Sequence, residues 1–350
     1  MKTDLKVGII GAGGIARTRH IEGWQSLARH GVEIIAVADV DRKRAAQMAD
    51  EIGAPHVFRD YKRMLALPDL DVVDICTPTY AHKAQAVAAL HARKHVLCEK
   101  PMCLNAAEGR AILQAVKKSR RKFMVAQHHR FSLVAQAAKK LLDSGALGDV
   151  YHVRCHWLRR RLLPGAATFI YKRFSGGGPL LDIGCHILDL ALHFIGFPKP
   201  VAVMGSATTK LAHRPDMFSD WGDWDRKGFD VEDFACGFVR FANGTSLILE
   251  TSWLLNMRDH EETSLRLFGT EAGLDYPEMA IHGQSNGMVT DTILEKVADP
   301  LHAHTREIRA FYDSIIHHRP SPVPAHQNVH VIRILSALYE SSARRKEVRL

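Results

Sequence analysis

The chain has 350 residues, of which 46% are hydrophobic and 24% charged, and carries a formal net charge of +9. That is the composition of a soluble globular protein long enough for two domains. No apolar run approaches the roughly 18–20 residues that span a bilayer, which excludes a helical membrane protein. The basic runs at Lys117 to Lys122, Arg159 to Arg161 and Arg344 to Arg349 are not interleaved with aromatic residues. They read as solvated helix ends and loops, or as a field that draws in an anionic substrate, and not as a nucleic-acid surface. Six cysteines are scattered singly with no C-x-x-C, the pattern of reduced thiols in a cytoplasmic protein.

The opening MKTDLKVGIIGAGG reads as a first strand, because its short apolar patch is interrupted by glycine and lacks a cleavage signal. From there to residue 126, short β-branched runs (VGII, VEIIAVA, VVDIC, HVLCE, KFMVAQ) alternate with helical patterns (RTRHIEGWQSLARH, DRKRAAQMADEIG, AHKAQAVAALHARK, NAAEGRAILQAVKKSR). Such alternation predicts an α/β domain over residues 1–126 with a doubly wound parallel sheet. Asn105 with Glu108 has the spacing of a capping box, and Gly53 is placed to stop its helix.

The first strand runs into GAGGIA, a G-x-G-x-x-A loop with Gly11, Gly13 and Ala16. The first glycine permits the tight turn, the second leaves room for a pyrophosphate, and Ala16 lets helix and strand approach. Backbone N–H groups of Gly13, Gly14 and Ile15 at the helix start would face the phosphates. The second strand ends at Asp39, the acidic position that would bond the ribose hydroxyls. A carboxylate there disfavours a 2′-phosphate, so the expected cofactor is NAD, with Arg42 leaving NADP possible.

After residue 126 the pattern changes. YHVRCHW alternates, VAVMGSAT and SLRLFGTEAGL are β-like, and GFVRF and TSLILETSW flank Asn243-Gly244, a hairpin signal. One helical pattern, LLDIGCHILDLALHFIG, sits among them, and NVHVIRILSALYESSARR forms a late helix that packs back on one of the domains. Residues 127–350 therefore read as an α+β domain on a large, mostly antiparallel open sheet, with RPSPVP at 319–324 as a connecting loop.

Four segments taken together, the glycine loop, TPTYAH (Thr77 to His82), CEKP (Cys98 to Pro101) and SGGGPLLDIGCHILDL (Ser175 to Leu190), resemble the Gfo/Idh/MocA oxidoreductase family over essentially the whole chain. The resemblance implies a nicotinamide cofactor contacted by Thr77, Pro78, His82, Glu99 and Lys100. It also implies Lys100, Asp182 and His186 as catalytic residues, and a cis peptide before Pro101. Asp182, His186, Asp189 and His193 are spaced +4, +3 and +4 on one helical face. They extend over roughly 16 Å, too far for one metal or one substrate, so the first pair is expected to carry the chemistry and no metal is expected. Either Lys100 or His186 is the base.

The implied reaction is hydride transfer between a secondary alcohol of a sugar or polyol and the cofactor. Two rivals stand beside it: a glycoside-cleaving enzyme that oxidises transiently, and a non-catalytic NAD(P)-binding regulator. Candidate substrate contacts are Gln127, His128, Arg130, Arg159, Arg160, Tyr171 and Lys172, with Trp221 and Trp224 either stacking on a sugar or covering core. In LILETSW, Leu247, Leu249, Thr251 and Trp253 fall on one face and Ile248, Glu250 and Ser252 on the other. A two-faced apolar strand predicts a homodimer or homotetramer through the open sheet face.

Overall fold

The alternating segments of the first third build a six-stranded parallel sheet in the computed structural model, which describes residues 4–295 and 298–350. The first three residues of the opening segment lie outside that range. Strands β1 (Leu5–Ile10), β2 (Val32–Ala38), β3 (His56–Phe58), β4 (Val72–Ile75), β5 (His95–Cys98) and β6 (Phe123–Val125) stand in the order β3-β2-β1-β4-β5-β6. That order is the doubly wound dinucleotide-binding arrangement, with the sheet reversing direction of growth beside β1. Val7, Ile9, Val72, Val73, Val96 and Leu97 are fully buried, as strands covered on both faces must be.

Helices α1 (Ile21–Gln25), α2 (Arg42–Ile52), α3 (Tyr61–Leu65), α4 (Thr79–His91) and α5 (Ala106–Ser119) connect these strands. Local chemistry sets their ends. Asp41 caps α2 through the N–H groups of Lys43 and Arg44, and Gly53 ends it in the left-handed region. Asn105 accepts from Ala107 and Glu108, and the Glu108 carboxylate reaches back to the N–H of Leu104. The expected helix over 17–30 is instead broken: a π turn at Ala16–His20, then α1, then a single 3-10 turn at Ala28–His30. The π turn sits where His20 enters the interior, and such bulges reset which side chains face inward.

By its internal contacts the chain divides into Met1–Phe131 with Pro300–Val329, and Ser132–Asp299 with His330–Leu350. The sequence pattern did not reveal α6 (Leu133–Asp143) or α11 (Ala303–Ile316), the latter completing the first unit. There Phe311 meets Trp24 edge to face at 6.5 Å between centroids, with both rings fully buried. The late helix, α12 (Ala325–Arg344), follows the 319–324 loop, and its first turn counts with the first unit.

The second unit is built on a nine-stranded sheet. Its strands are β7 (Val150–Arg159), β8 (Pro200–Thr208), β9 (Phe234–Phe241), β10 (Ser246–Ser252), β11 (Glu261–Gly269), β12 (Gly273–Tyr276), β13 (Ala280–Ser285), β14 (Met288–Ile293) and β15 (Val348–Arg349). They run in the order β14-β13-β12-β11-β7-β10-β9-β8-β15, all antiparallel except β10 with β7. The Asn243-Gly244 turn joins β9 to β10, with Gly244 at positive φ. The β13–β14 hairpin was not foreseen.

Short helices α7 (Ala167–Ile170), α8 (Lys172–Ser175) and α9 (Pro179–Asp182) precede α10 (Gly184–Phe194). The single helix expected over the D-x-G-x-H segment is thus broken at Ile183. The carbonyl of Asp182 takes the Cys185 thiol, and the N–H of His186 bonds Ile183 instead. Among the described residues no helix is long and apolar enough to cross a membrane.

Candidate active site

Gly11 adopts a positive φ, and a Cβ there would lie 2.7 Å from the backbone of Cys76, so β1 and β4 close together only on glycine. At Gly13 and Gly14 the opposite holds: a Cβ would meet nothing within 4 Å, leaving open room above the loop. Asp39 locks the loop, its Oδ2 accepting the N–H of Ala12 at 2.8 Å and its Oδ1 that of Asp41 at 2.8 Å. Ala16 is buried at the helix start and Ile15 precedes it, while Arg42 opens α2 exposed to solvent. Open glycine loop, helix start and fixed carboxylate fit the pyrophosphate and ribose of a dinucleotide.

The TPTYAH and CEKP segments meet through His82. Its Nδ1 lies 2.8 Å from the carbonyl of Pro101 and its Nε2 2.7 Å from that of Thr77, with the tautomer deciding which nitrogen donates. Burial lowers the pKa of this ring, against the opposing pull of the two carbonyls. Pro78 caps α4, and the Thr77 hydroxyl donates to Gln85 at 2.6 Å. The Lys100–Pro101 bond is cis, as the family resemblance implies.

A buried charge network that the sequence pattern does not betray holds the residue before Lys100. His20 is fully buried, with Nδ1 2.8 Å from Asp74 Oδ2 and Nε2 2.8 Å from Glu99 Oε1. Trp24 Nε1 donates to the same Asp74 oxygen at 2.7 Å, and Glu99 Oε2 accepts the N–H of Lys100 at 3.0 Å. Burial alone would discharge His20, but the Asp74 carboxylate outweighs it and raises its pKa well above the ordinary value. Burial likewise pushes Glu99 up, and the bond from His20, with Lys100 nearby, brings it below the ordinary carboxylate range. Two ring nitrogens aimed at two carboxylates require an imidazolium that donates twice. No signal short of the fold pairs these residues.

His128 stacks on His304 at 3.8 Å between centroids, with His129 4.2 Å away. Burial lowers all three, His304 to about 3 and His129 to about 4. Arg130 is buried and donates to Gln327 at 2.7 Å, and Gln127 donates to Asn328 at 3.2 Å.

In the second unit the glycine triplet is explained by close approach. A Cβ on Gly177 would collide with the hydroxyl of Tyr339, and one on Gly178 with the backbone of Glu232. The Glu232 carboxylate accepts from the N–H groups of Gly178 and Leu180 and from Tyr339, which fixes the start of α9. Asp182 ends that helix, with Oδ2 3.2 Å from Trp253 Nε1 and 4.0 Å from Arg159 Nη1. His186 is buried on α10, its ring 5.9 Å from that of Trp157. Glu261 accepts from Trp157 Nε1 at 2.7 Å and Arg159 Nε at 2.6 Å. Burial pushes this carboxylate up, and those two bonds overcome it and keep it ionised.

The structure therefore gathers Asp182, His186 and Arg159 with Trp157, Trp253 and Glu261, of which Trp253 and Glu261 are not among the site residues expected from the sequence. The Tyr171 hydroxyl is tied elsewhere, to Asp225 at 2.7 Å, and the Lys172 ammonium lies 5.9 Å from the ring centre of Tyr339. Arg160 is exposed and donates to the carbonyl of Arg258 at 3.1 Å. The two tryptophans of 221–233 separate: Trp224 is buried in a core cluster, and Trp221 is 53% exposed.

A dinucleotide loop on one unit and an Asp/His motif with a part-buried Asp182 and a buried His186 on the other define an NAD(P)-dependent oxidoreductase. The chain belongs to the Gfo/Idh/MocA family. Residues 5–127 match its oxidoreductase domain, described as an NAD-binding Rossmann fold, and residues 135–275 match its C-terminal domain. It is 33% identical over 343 residues to the D-glucoside 3-dehydrogenase of Escherichia coli K12, covering 97% of this chain and 96% of that one. It is 29% identical to the levoglucosan dehydrogenase of Pseudarthrobacter phenanthrenivorans, over 77% of this chain and 73% of that one. A solved levoglucosan dehydrogenase in complex with NADH and levoglucosan superposes with a TM-score of 0.86 over 99% of both chains. At 24% identity that likeness is one of fold.

Proposed function

We propose that the chain oxidises a secondary alcohol of a sugar, sugar derivative or polyol ring, using Lys100, Asp182 and His186. Residues 1–126 serve the cofactor, and residues 127–350 serve the substrate and self-association. The observation that carries this is the Asp182–Trp253–Arg159 arrangement beside His186, an oriented carboxylate and imidazole among aromatic and guanidinium groups suited to a polyhydroxy ring. The bound nicotinamide supplies the hydride acceptor. His186 or Lys100 takes the hydroxyl proton, an unperturbed imidazole being suited to acid-base work at neutral pH. Lys100 stabilises charge developing on the oxygen, and Asp182 holds a neighbouring hydroxyl or orients the imidazole. Support comes from the sugar and polyol dehydrogenases among the relatives, which include a scyllo-inositol 2-dehydrogenase at 26% identity.

Incubation with panels of sugars, inositols and sugar acids plus NAD or NADP tests the reading by absorbance of the reduced nicotinamide. Net accumulation is expected. Consumption of a glycoside with no net reduced cofactor would instead establish elimination with the cofactor retained, and no turnover across the panels would overturn the proposal.

Self-association is part of the same proposal. Leu247, Leu249, Thr251 and Trp253 are fully buried. On that face Gly184 of α10 approaches Thr251, and Leu338 of α12 approaches Gly205 and Gly237, which pair in the row of Leu249. The last helix therefore lies on the same face as α10. The cross-strand row Met204, Phe238 and Ile248 points the other way, with Met204 58% exposed. A second copy covering that row gives a homodimer, or a tetramer built from dimers. Light scattering at micromolar concentration is expected to exceed the mass of one 39.1 kDa chain, and a single-chain mass would refute it.

A further inference from the structure

From His186 a wall of alternating aromatic and cationic groups runs outward through the second unit. Trp157 stands 5.9 Å from the His186 ring, the Arg159 guanidinium 5.4 Å from the Trp157 ring, and Trp221 4.8 Å from that guanidinium. The inner members are fixed by Glu261, which accepts from both Trp157 and Arg159, and the Arg159 side chain is only 11% exposed. Trp221 is fixed differently, through its loop. The Ser219 hydroxyl both donates to the carbonyl of Leu163 at 2.9 Å and accepts its N–H at 3.0 Å, and the N–H of Asp220 reaches the carbonyl of Arg161 at 2.9 Å. The same segment buries Trp224 in the core, its Nε1 donating to Ala212 at 2.9 Å. Core packing is thus met by Trp224, and the anchored loop holds a second indole out in solvent.

We propose that Trp221 is the platform of an outer subsite, and that the substrate is a glycoside whose aglycone is itself a ring. The argument rests on the reading that a sugar is oxidised beside Asp182 and His186. A sugar ring placed there lies against Trp157 and Arg159. Each contact is one stacking distance, and Trp221 lies two contacts on from Trp157, through Arg159, and is the solvent-exposed member. A single monosaccharide has no use for that position. The aglycone ring of a glycoside, with its apolar C–H face or aromatic face, fits an exposed indole backed by a guanidinium. Tryptophan offers that contact at low entropic cost, having only two side-chain torsions.

The test compares methyl and phenyl glucosides, both anomers of each, as substrates of the whole protein and of Trp221→Ala. The expected wild-type result is a higher kcat/KM for a phenyl glucoside than for the matching methyl glucoside. In Trp221→Ala the ratio of the two should fall about ten-fold, carried by KM. A ratio unchanged by the substitution would overturn the subsite. If neither protein reduces NAD with any of these sugars, it is the proposed function that fails for them. Saturation-transfer NMR then decides the subsite separately: transfer to the phenyl ring that disappears in Trp221→Ala sustains it, and equal transfer in both proteins refutes it.

Discussion

Lys100 and Asp182 are held by opposite means. Before Lys100, an imidazolium sits between two carboxylates with no solvent access to its ring, and the second carboxylate fixes the Lys100 backbone. Around Asp182 the carboxylate keeps 13% of its side-chain surface exposed, held by one indole and one guanidinium that also stacks on tryptophans. The first arrangement is desolvated, fully paired and costly to disturb. The second is mixed: Trp253 is fully buried in a core cluster, whereas Trp221 is 53% exposed and the Arg159 side chain 11%. On the function proposed above, the constant ligand, the cofactor, meets the fully buried half, and the variable ligand the half with solvent-facing groups.

The sharpest break of this comparison is at Lys100. Lys100→Met should lower kcat by about a thousand-fold or more while cofactor affinity changes by less than about three-fold. Its charge acts mainly as the hydroxyl ionises, which is a transition-state effect. A folded variant with near-native kcat would remove Lys100 from the catalytic set.

Next in size is the network behind it. His20→Ala leaves Asp74 and Glu99 as buried carboxylates without their shared partner, and breaking such a set costs about 3–5 kcal/mol. Arg159→Ala, at the rim, should cost clearly less stability and act on sugar KM instead. Urea unfolding of both variants checks the contrast. Equal losses would mean that the two halves are not built differently.

The same contrast explains what could be read from the chain alone. Gly11, Gly13, Asp39 and the CEKP run lie within local motifs whose spacing states their geometry. His20 was opaque because its partners lie 54 and 79 residues away, at Asp74 and Glu99. The break at Ile183 was hidden for a similar reason, since the fixed start of α9 depends on Glu232, far along the chain. Helical periodicity continues through LLDIGCHILDL whether or not the helix does. On the substrate side, Trp157 and Glu261 meet only because β7 pairs with β11. Trp221 and Trp224, three residues apart, differ in fate through loop anchoring that periodicity does not encode.

A smaller effect is expected at Asp39. Both its oxygens already accept backbone N–H groups, which keeps the carboxylate in place at the proposed ribose position. NAD should bind about ten-fold or more tighter than NADP, and Asp39→Ser should narrow that ratio by a similar factor. Tighter binding of NADP by the unaltered protein would show that Arg42 dominates.

The last prediction is a pH slope, and it separates the histidines that share the first unit. His304 lies in the first turn of α11, where burial, and the positive charge of His20 and Arg19, outweigh the opposing pull of Glu99 and lower it to about 3. His129, partly buried close by, falls to about 4. An unfolded chain protonates histidine at about 6.5. Between that value and 3–4 the unfolded state holds more protons, so stability falls as the pH drops, by up to about 1.4 kcal/mol per pH unit for each such group. His20 has the opposite sign. Its pKa is raised, so its contribution is complete below about 6.5 and is lost only as the pH rises through the raised value. His304→Asn should therefore take close to one proton out of the acid slope of unfolding free energy between pH 6.5 and 4, leaving the alkaline limb alone. Urea unfolding at pH 7, 6 and 5 measures it. An unchanged acid slope would mean that His304 is not held neutral in the folded protein.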